Sequence, residues 1–175
     1  MGFTPLEGVV MGTRSGSLDP GLVLHLLREE GASVDGLDTV LNHGSGLNGL
    51  SGRSGDLREV LAARDGGDER ARLAFDVYVH RLRFHIGAML GALGGLDAVV
   101  FTAGVGEHSA LVRERSLAGL DALGIAVDPG RNATGDGARI ISPDGARVAV
   151  CVVPTNEEHA IAEATAKLLR PAPGT

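Results

Sequence analysis

The chain has 175 residues, 43% of them hydrophobic and 22% charged, with a formal net charge of −6 at pH 7. This is the composition of one globular, soluble domain or a large piece of one, long enough to bury a real core. The acidic balance argues against a nucleic-acid surface, and no run approaches the ~18 apolar residues of a transmembrane helix. Taken in order, residues 1–18 are loop-like or briefly extended and carry Met11-Gly12-Thr13-Arg14-Ser15-Gly16. Asp19-Pro20 predicts a helix start, because aspartate caps and proline fits the first helical position. Leu22, Leu26 and Leu27 give that helix one apolar face, and Gly31 closes it. A short helix follows around Leu37–Asn42, capped by Asp35 or Asp38. Residues 44–55 are rich in glycine and serine and predict a loop. Leu47 and Leu50 would be wasted in a flexible linker, so the loop is expected to be ordered. Asp56 caps a segment with Leu57, Val60 and Leu61, and the stretch from Asp65 to Glu69 is a solvated turn.

The longest helix is predicted from about Glu69 to Leu93, where Phe75, Val79, Leu82, Ile86, Leu90 and Leu93 recur every three or four residues. His80 and His85 are five apart and do not share a face as a zinc pair would. Ala98–Thr102 is a short, continuously apolar run, the pattern of a strand covered on both faces. Gly104 and Gly106 predict a tight turn, and a helix runs from about Ser109 to Leu123. Gly124–Val127 reads as a small extended piece. Ile140-Ile141 and Val148–Val153 flank the turn Pro143-Asp144-Gly145 and predict a hairpin, with the second strand buried. A last helix carries Ile161, Ala164 and Leu168 on one face, and the tail from Pro171 is frayed.

The chemistry concentrates at a few of these places. Strand, glycine turn and helix at 98–109 form the order in which α/β proteins offer backbone N–H groups to an anionic ligand. Ser109 stands where a Gly-x-Gly-x-x-Gly fingerprint needs glycine, and no P-loop motif occurs. Taken singly, each candidate has a plain structural explanation. Arg14 reads equally as a surface arginine, Asp56-Leu57-Arg58 as a helix cap with a nearby charge, and Glu157 and Glu158 as first-turn carboxylates complementing a helix dipole. Cys151, the only cysteine, lies in an apolar strand and reads as a buried structural thiol in a reducing compartment. The start of the chain has no charged and apolar segments of a signal peptide.

Together and in order, Met11–Gly16, Ser51–Arg58, Phe101–Glu107 and Pro154–Glu158 resemble the motifs of the acetate kinase family, over nearly the whole chain. The resemblance implies an α/β fold, the C-terminal (second) domain of the actin-like ATPase and acetate kinase superfamily, truncated at its N-terminal side. It implies a layout with the arginine loop and helices in 1–96, the nucleotide-binding strand–turn–helix and C-terminal hairpin–helix in 97–170, and a frayed tail at 171–175. It implies ATP- and Mg²⁺-dependent phosphorylation of acetate to acetyl phosphate in the cytoplasm, by a homodimer with no nucleic-acid or membrane partner.

Position by position, Arg14 corresponds to the arginine that stabilises the transferring phosphoryl group. Asp56, Leu57 and Arg58 correspond to one wall of the nucleotide pocket. Gly104, Val105, Gly106, Glu107 and His108 correspond to the adenosine loop, and Glu157 to the magnesium-associated carboxylate. A planar guanidinium matches equatorial phosphoryl oxygens, and Mg²⁺ takes one or two carboxylates with phosphate oxygens and water. Relatives carry Asn at the place of His108 and Asp at that of Ser17. The family's catalytic acid, acceptor-side arginine and catalytic histidines have no counterpart in this chain, so the resemblance implies a fragment that is inactive alone. A catalytically silent nucleotide-binding or dimerisation module, and a kinase for propionate or butyrate, are the competing expectations.

Overall fold

The computed structural model describes residues 2–169. The chain divides into two compact units, Met1–Gly95 and Leu96–Thr175. The expected frayed tail at 171–175 lies outside the described residues.

The first unit is helical. α1 (Pro20–Arg28) begins as the Asp-Pro pair predicts, with the Asp19 carboxylate accepting from Gly21 N–H. α2 (Val34–His43) is capped by the Ser33 hydroxyl, not by Asp35 or Asp38, because Ser33 stands three residues before the Gly36 N–H that it accepts from. The glycine-rich loop of the sequence holds a helix, α3 (Gly46–Ser51). It forms because Leu47 and Ser51, one turn apart, are both buried, a tertiary gain that outweighs the poor helix propensity of glycine. α4 (Leu57–Asp65) and α5 (Glu69–Leu93) start at Asp56 and Asp68, whose carboxylates accept from first-turn N–H groups. α3 and α4 pack on α5, and Leu47, Leu57, Val60, Ala71, Ala74, Phe75 and Val79 form the core between them. Burying each large side chain there is worth about 1.5–3 kcal/mol. Only the N-terminal half of the α5 stripe is used so, since Leu93 is exposed.

The second unit is an α/β layer. β1 (Ala98–Phe101) pairs in parallel with β3 (Ala149–Val152), which pairs antiparallel with β2 (Arg139–Ile140), giving the order β1-β3-β2. Ile125 adds a bridge to Val148. The hairpin and the two strands stand where the sequence predicts them, but their burial differs. Val148, Val150 and Val152 are sealed, whereas Cys151 is half-buried and Val153 exposed. β1 is an edge strand with Val100 54% exposed. The expectation of a strand covered on both faces is therefore corrected: among the described residues its outer face has no packing partner.

The predicted glycine turn is a short helix, α6 (Ala103–His108), entered through Ala103 at φ +59°. The helix expected to reach Leu123 stops at Leu117 as α7 (Ala110–Leu117), and a 3₁₀ turn at Asp121–Leu123 follows. The break falls at Ala118-Gly119, where Gly119 takes φ +81° and the helical ladder cannot continue. α8 (Pro129–Ala133) is a further short helix that the sequence reading missed, capped by Asp128. α9 (Glu157–Leu169) has no buried residue. Ile161 and Leu168 on its predicted apolar face are 66% and 86% exposed.

Candidate functional site

In the first unit the site residues gather on two loops that touch. The Arg14 loop is pinned on both flanks: Met11 N–H donates to Arg14 O, Ser15 N–H to Leu41 O, and Thr13 Oγ1 to Asn42 O at 2.9 Å. The start of α3 then folds onto the same loop, because Leu47 N–H and Asn48 N–H donate to Met11 O and Gly12 O, both at 2.9 Å. Gly46, at φ +64°, lies so close to Met11 O that no Cβ fits. Gly12 and Gly55 meet backbone to backbone: a Cβ on Gly55 would stand 2.8 Å from Gly12 O. Glycine is required at that crossing, and the crossing brings the Arg14 loop against the entrance to α4. Arg14 is half-buried, yet its guanidinium has no hydrogen-bond or ion-pair partner among the described residues. Keeping a half-buried cation without a partner costs desolvation that nothing nearby offsets.

Asp56 and Arg58 behave as cap and counter-charge. Asp56 Oδ1 accepts from Arg58 N–H at 2.8 Å, and Arg58 Nη2 donates to Asp56 Oδ2 at 2.6 Å. These bonds hold the Asp56 carboxyl down at about 2, well below its ordinary 3.8. Leu57 is in the core and turns its side chain away from solvent. What this wall offers a ligand is backbone and the outer edge of the Arg58 guanidinium. Beside the Arg14 loop lies a cavity of about 440 Å³ lined by Val10, Ser15, Ser17, Ser45, Val77 and Arg81, among others.

In the second unit the two remaining motifs follow β1 and β3. These strands are parallel neighbours, so α6 and Pro154–Glu157 emerge at the same, carboxyl, end of the sheet. This is where open α/β sheets bind ligands. They are joined there by one side chain. Glu107 Oε1 accepts from Thr155 N–H at 2.9 Å and from Thr155 Oγ1 at 3.1 Å. Both bonds favour the ionised carboxyl and lower its pKa. Glu107, expected as a ligand contact, thus has one carboxylate oxygen engaged by Thr155. Gly104, Val105 and His108 are exposed, and Gly106 is half-buried against Phe101. Glu157 opens α9, fully outside the core, while Asn156 caps that helix by accepting from His159 N–H at 3.0 Å.

A buried arginine completes the arrangement. Arg113 on α7 is 2% exposed. Its Nη1 donates to Gly106 O and Glu107 O, its Nη2 to Asn132 O, each at 2.8 Å, and its Nε to Asn132 Oδ1 at 2.7 Å. Sequence reasoning passed over it, although a signal was there. Ser109, Val112, Arg113, Ser116 and Leu117 share one helical face by their spacing, so an arginine on that face points inward.

The described residues therefore form an α/β protein whose candidate residues lie on loops at strand and helix ends. The profile of the acetokinase family matches residues 1–163. An acetate kinase of Streptomyces coelicolor is 60% identical over 170 residues, which are 97% of this chain and 42% of that protein. The crystal structure of Porphyromonas gingivalis acetate kinase superposes with a TM-score of 0.89 at 42% identity, over 97% of this chain and 43% of the other. A propionate kinase of Francisella tularensis gives 0.85 at 37%, over 93% and 41%. The chain belongs to the acetokinase family, and it spans less than half the length of the curated relatives it matches.

Proposed function

We propose that this chain carries the nucleotide-facing and phosphoryl-facing residues of a kinase that transfers the γ-phosphoryl group of ATP to acetate. In that reaction an acetate oxygen forms a bond to the γ-phosphorus, the bond from phosphorus to the β,γ-bridging oxygen breaks, and ADP leaves with those electrons. The reverse run makes ATP from acetyl phosphate. The observation that carries the reading is the Glu107–Thr155 clasp. It fixes the two motifs that follow β1 and β3 at the carboxyl end of one parallel strand pair, in a chain of the acetokinase family.

The roles follow from chemistry. Arg14 supplies an unpartnered, planar cation to a phosphoryl group whose charge spreads over three equatorial oxygens. Gly104–His108 in the second unit presents backbone to adenosine, and glycines 104 and 106 let it approach closely. Asp56–Arg58 in the first unit keeps its nucleotide-binding assignment from the resemblance. Among the described residues no group of three or more His, Cys, Asp or Glu side chains could cage a metal. Glu157, an exposed lone carboxylate, instead suits Mg²⁺ that arrives on the nucleotide, since that ion keeps its waters and takes one or two carboxylates beside phosphate oxygens. When bound, Mg²⁺ neutralises charge on the β- and γ-phosphates. A cytoplasmic homodimer goes with this reading.

Propionate as acceptor is a second reading, favoured by the likeness to the F. tularensis propionate kinase. A chimera tests the kinase reading: the 170-residue stretch of the S. coelicolor acetate kinase that matches this chain is replaced by this chain. The expected result is ATP- and Mg²⁺-dependent acetyl phosphate formation. A preference for propionate, although the rest of the chimera is an acetate kinase, gives the second reading, and a folded chimera with no turnover on either acid overturns both in favour of a binding or dimerisation module.

A further inference from the structure

α6 does not hold its own shape. It has six residues, two of them glycine, and begins at an alanine with φ +59°. So short a helix is not stable by itself, glycine weakens it further, and the left-handed alanine adds a cost on the order of 1 kcal/mol. Strained backbone persists only where its surroundings over-determine it. The last carbonyls of such a helix have no partner within it. Here Val105 O accepts from Ser109 N–H, while Gly106 O and Glu107 O both accept from Arg113 Nη1. Arg113 reaches them from inside the protein.

Asn132 of α8 fixes Arg113 in turn. Its Oδ1 and backbone carbonyl take the Nε and Nη2 donors, and its Nδ2 donates to Ala110 O at 2.8 Å, at the start of α7. A single guanidinium thus ties α6, α7 and α8 together through four bonds, every acceptor neutral. Burial lowers its pKa, yet an arginine stays charged. The charge suits its place, because it lies at the C-terminal, negative end of α6. An apolar side chain would fill the space without desolvating a cation. What only the arginine supplies is a fixed fork that sets where the Gly106 and Glu107 peptide groups lie.

We propose that Arg113, held by Asn132, is the positioning residue of the Gly104–His108 segment: it sets the backbone that meets the nucleotide and touches no ligand itself. The inference rests on the nucleotide reading above and deepens it.

The test uses the S. coelicolor chimera with Arg113→Met, Arg113→Lys and Asn132→Asp, and Val148→Ala as a control for lost stability in the same unit. Five quantities are read: KM for ATP, KM for acetate, the ADP Kd, hydrogen exchange of the peptide covering 102–110, and Tm. Arg113→Met is expected to raise the ATP KM and ADP Kd by roughly tenfold, the effect of one lost charge-assisted hydrogen bond. The acetate KM should stay unchanged, and protection should fall at 103–108. Arg113→Lys, which keeps the charge without the fork, should fall between. Val148→Ala should lower Tm and leave the ATP KM alone. A lowered Tm with unchanged ATP KM and loop protection in the Arg113 variants would overturn the proposal, leaving Arg113 a stabilising residue. Should Arg113→Met not fold, Arg113→Lys and Asn132→Asp are read against the same expectations. A chimera that binds ADP without turnover would sink the kinase reading, and the ADP Kd ratio would still decide this one. A folded chimera that binds no ADP overturns both.

Discussion

Arg14 and Glu107 show two opposite fates of a charged side chain at a site. The Arg14 loop is held by backbone hydrogen bonds on both flanks while its guanidinium has no partner among the described residues, so removing the side chain should leave the fold intact. In the chimera, Arg14→Ala is expected to cut kcat with little change in nucleotide affinity. The loss should be roughly 3–5 kcal/mol of transition-state stabilisation, as for other arginines in phosphoryl transfer. Steady-state kinetics check it; a drop of less than about tenfold, ~1.4 kcal/mol, returns Arg14 to the surface residues.

Glu107 is spent on Thr155 instead, and that bond is pH-dependent. A carboxyl whose folded pKa lies below its unfolded value stabilises the fold above the unfolded pKa and loses that contribution as pH falls through the folded one. For Glu107 the window opens at 4.5 and extends downward. The Thr155 amide proton shift should titrate with a midpoint below 4.5. Glu107→Gln, whose amide oxygen still accepts the bond, should abolish the titration and keep the amide protected. An unmoved Thr155 shift across that range would mean the clasp is absent in solution. That pairing was not legible in the sequence: the Glu107–Thr155 contact joins residues 48 positions apart, and only the register of β1 with β3 brings them together.

At the scale of elements, the Asp19-Pro20 and Asp56 caps were read well because they are local and need only neighbours within one turn, whereas α1 ends at a Glu29 cap, two residues before the expected Gly31 stop. α8 opens on Asp128-Pro129, the same local start signal as Asp19-Pro20, and was passed over, whereas α3 was missed because its stability comes from the partners it packs on. The tightest such fit is Gly46, at positive φ against Met11 O. Gly46→Ala should destabilise the first unit by about 2–4 kcal/mol, combining a left-handed alanine with an overpacked contact. The denaturant midpoint measures this, and a change under ~0.5 kcal/mol would contradict the close approach.

α9 offers a second test by its periodicity. Neighbouring helical residues point about 100° apart, so Glu157 and Glu158 cannot both face one ion. In the chimera, Glu157→Ala should raise the Mg²⁺ concentration for half-maximal rate and Glu158→Ala should not. Equal profiles would favour the helix-dipole role for both.

On the scale of the whole molecule, the proposed nucleotide-facing segments, Asp56–Arg58 and Gly104–His108, belong to two compact units of the same chain. The chain spans 42% of the S. coelicolor acetate kinase, and the reading proposed above assigns it nucleotide- and phosphoryl-facing residues but none for the acceptor. Binding and turnover should therefore separate. The chain by itself is expected to bind ADP through adenine burial and backbone contacts alone, worth roughly 4–5 kcal/mol, a Kd near the millimolar range. It is expected to make no acetyl phosphate. Folding of the isolated chain is opposed by β1, whose open edge and exposed Val100 invite strand-to-strand association. Light scattering should accompany the measurement for that reason. Ligand-observed NMR with ADP reads the binding half, and a coupled assay with acetate reads the other. Acetate-dependent ATP turnover by the pure chain would overturn the division of labour argued above, because every group needed for chemistry would then lie within it. A monodisperse, folded chain without an ADP signal would show that neither segment holds a nucleotide unaided, and would move the reading toward an interaction module.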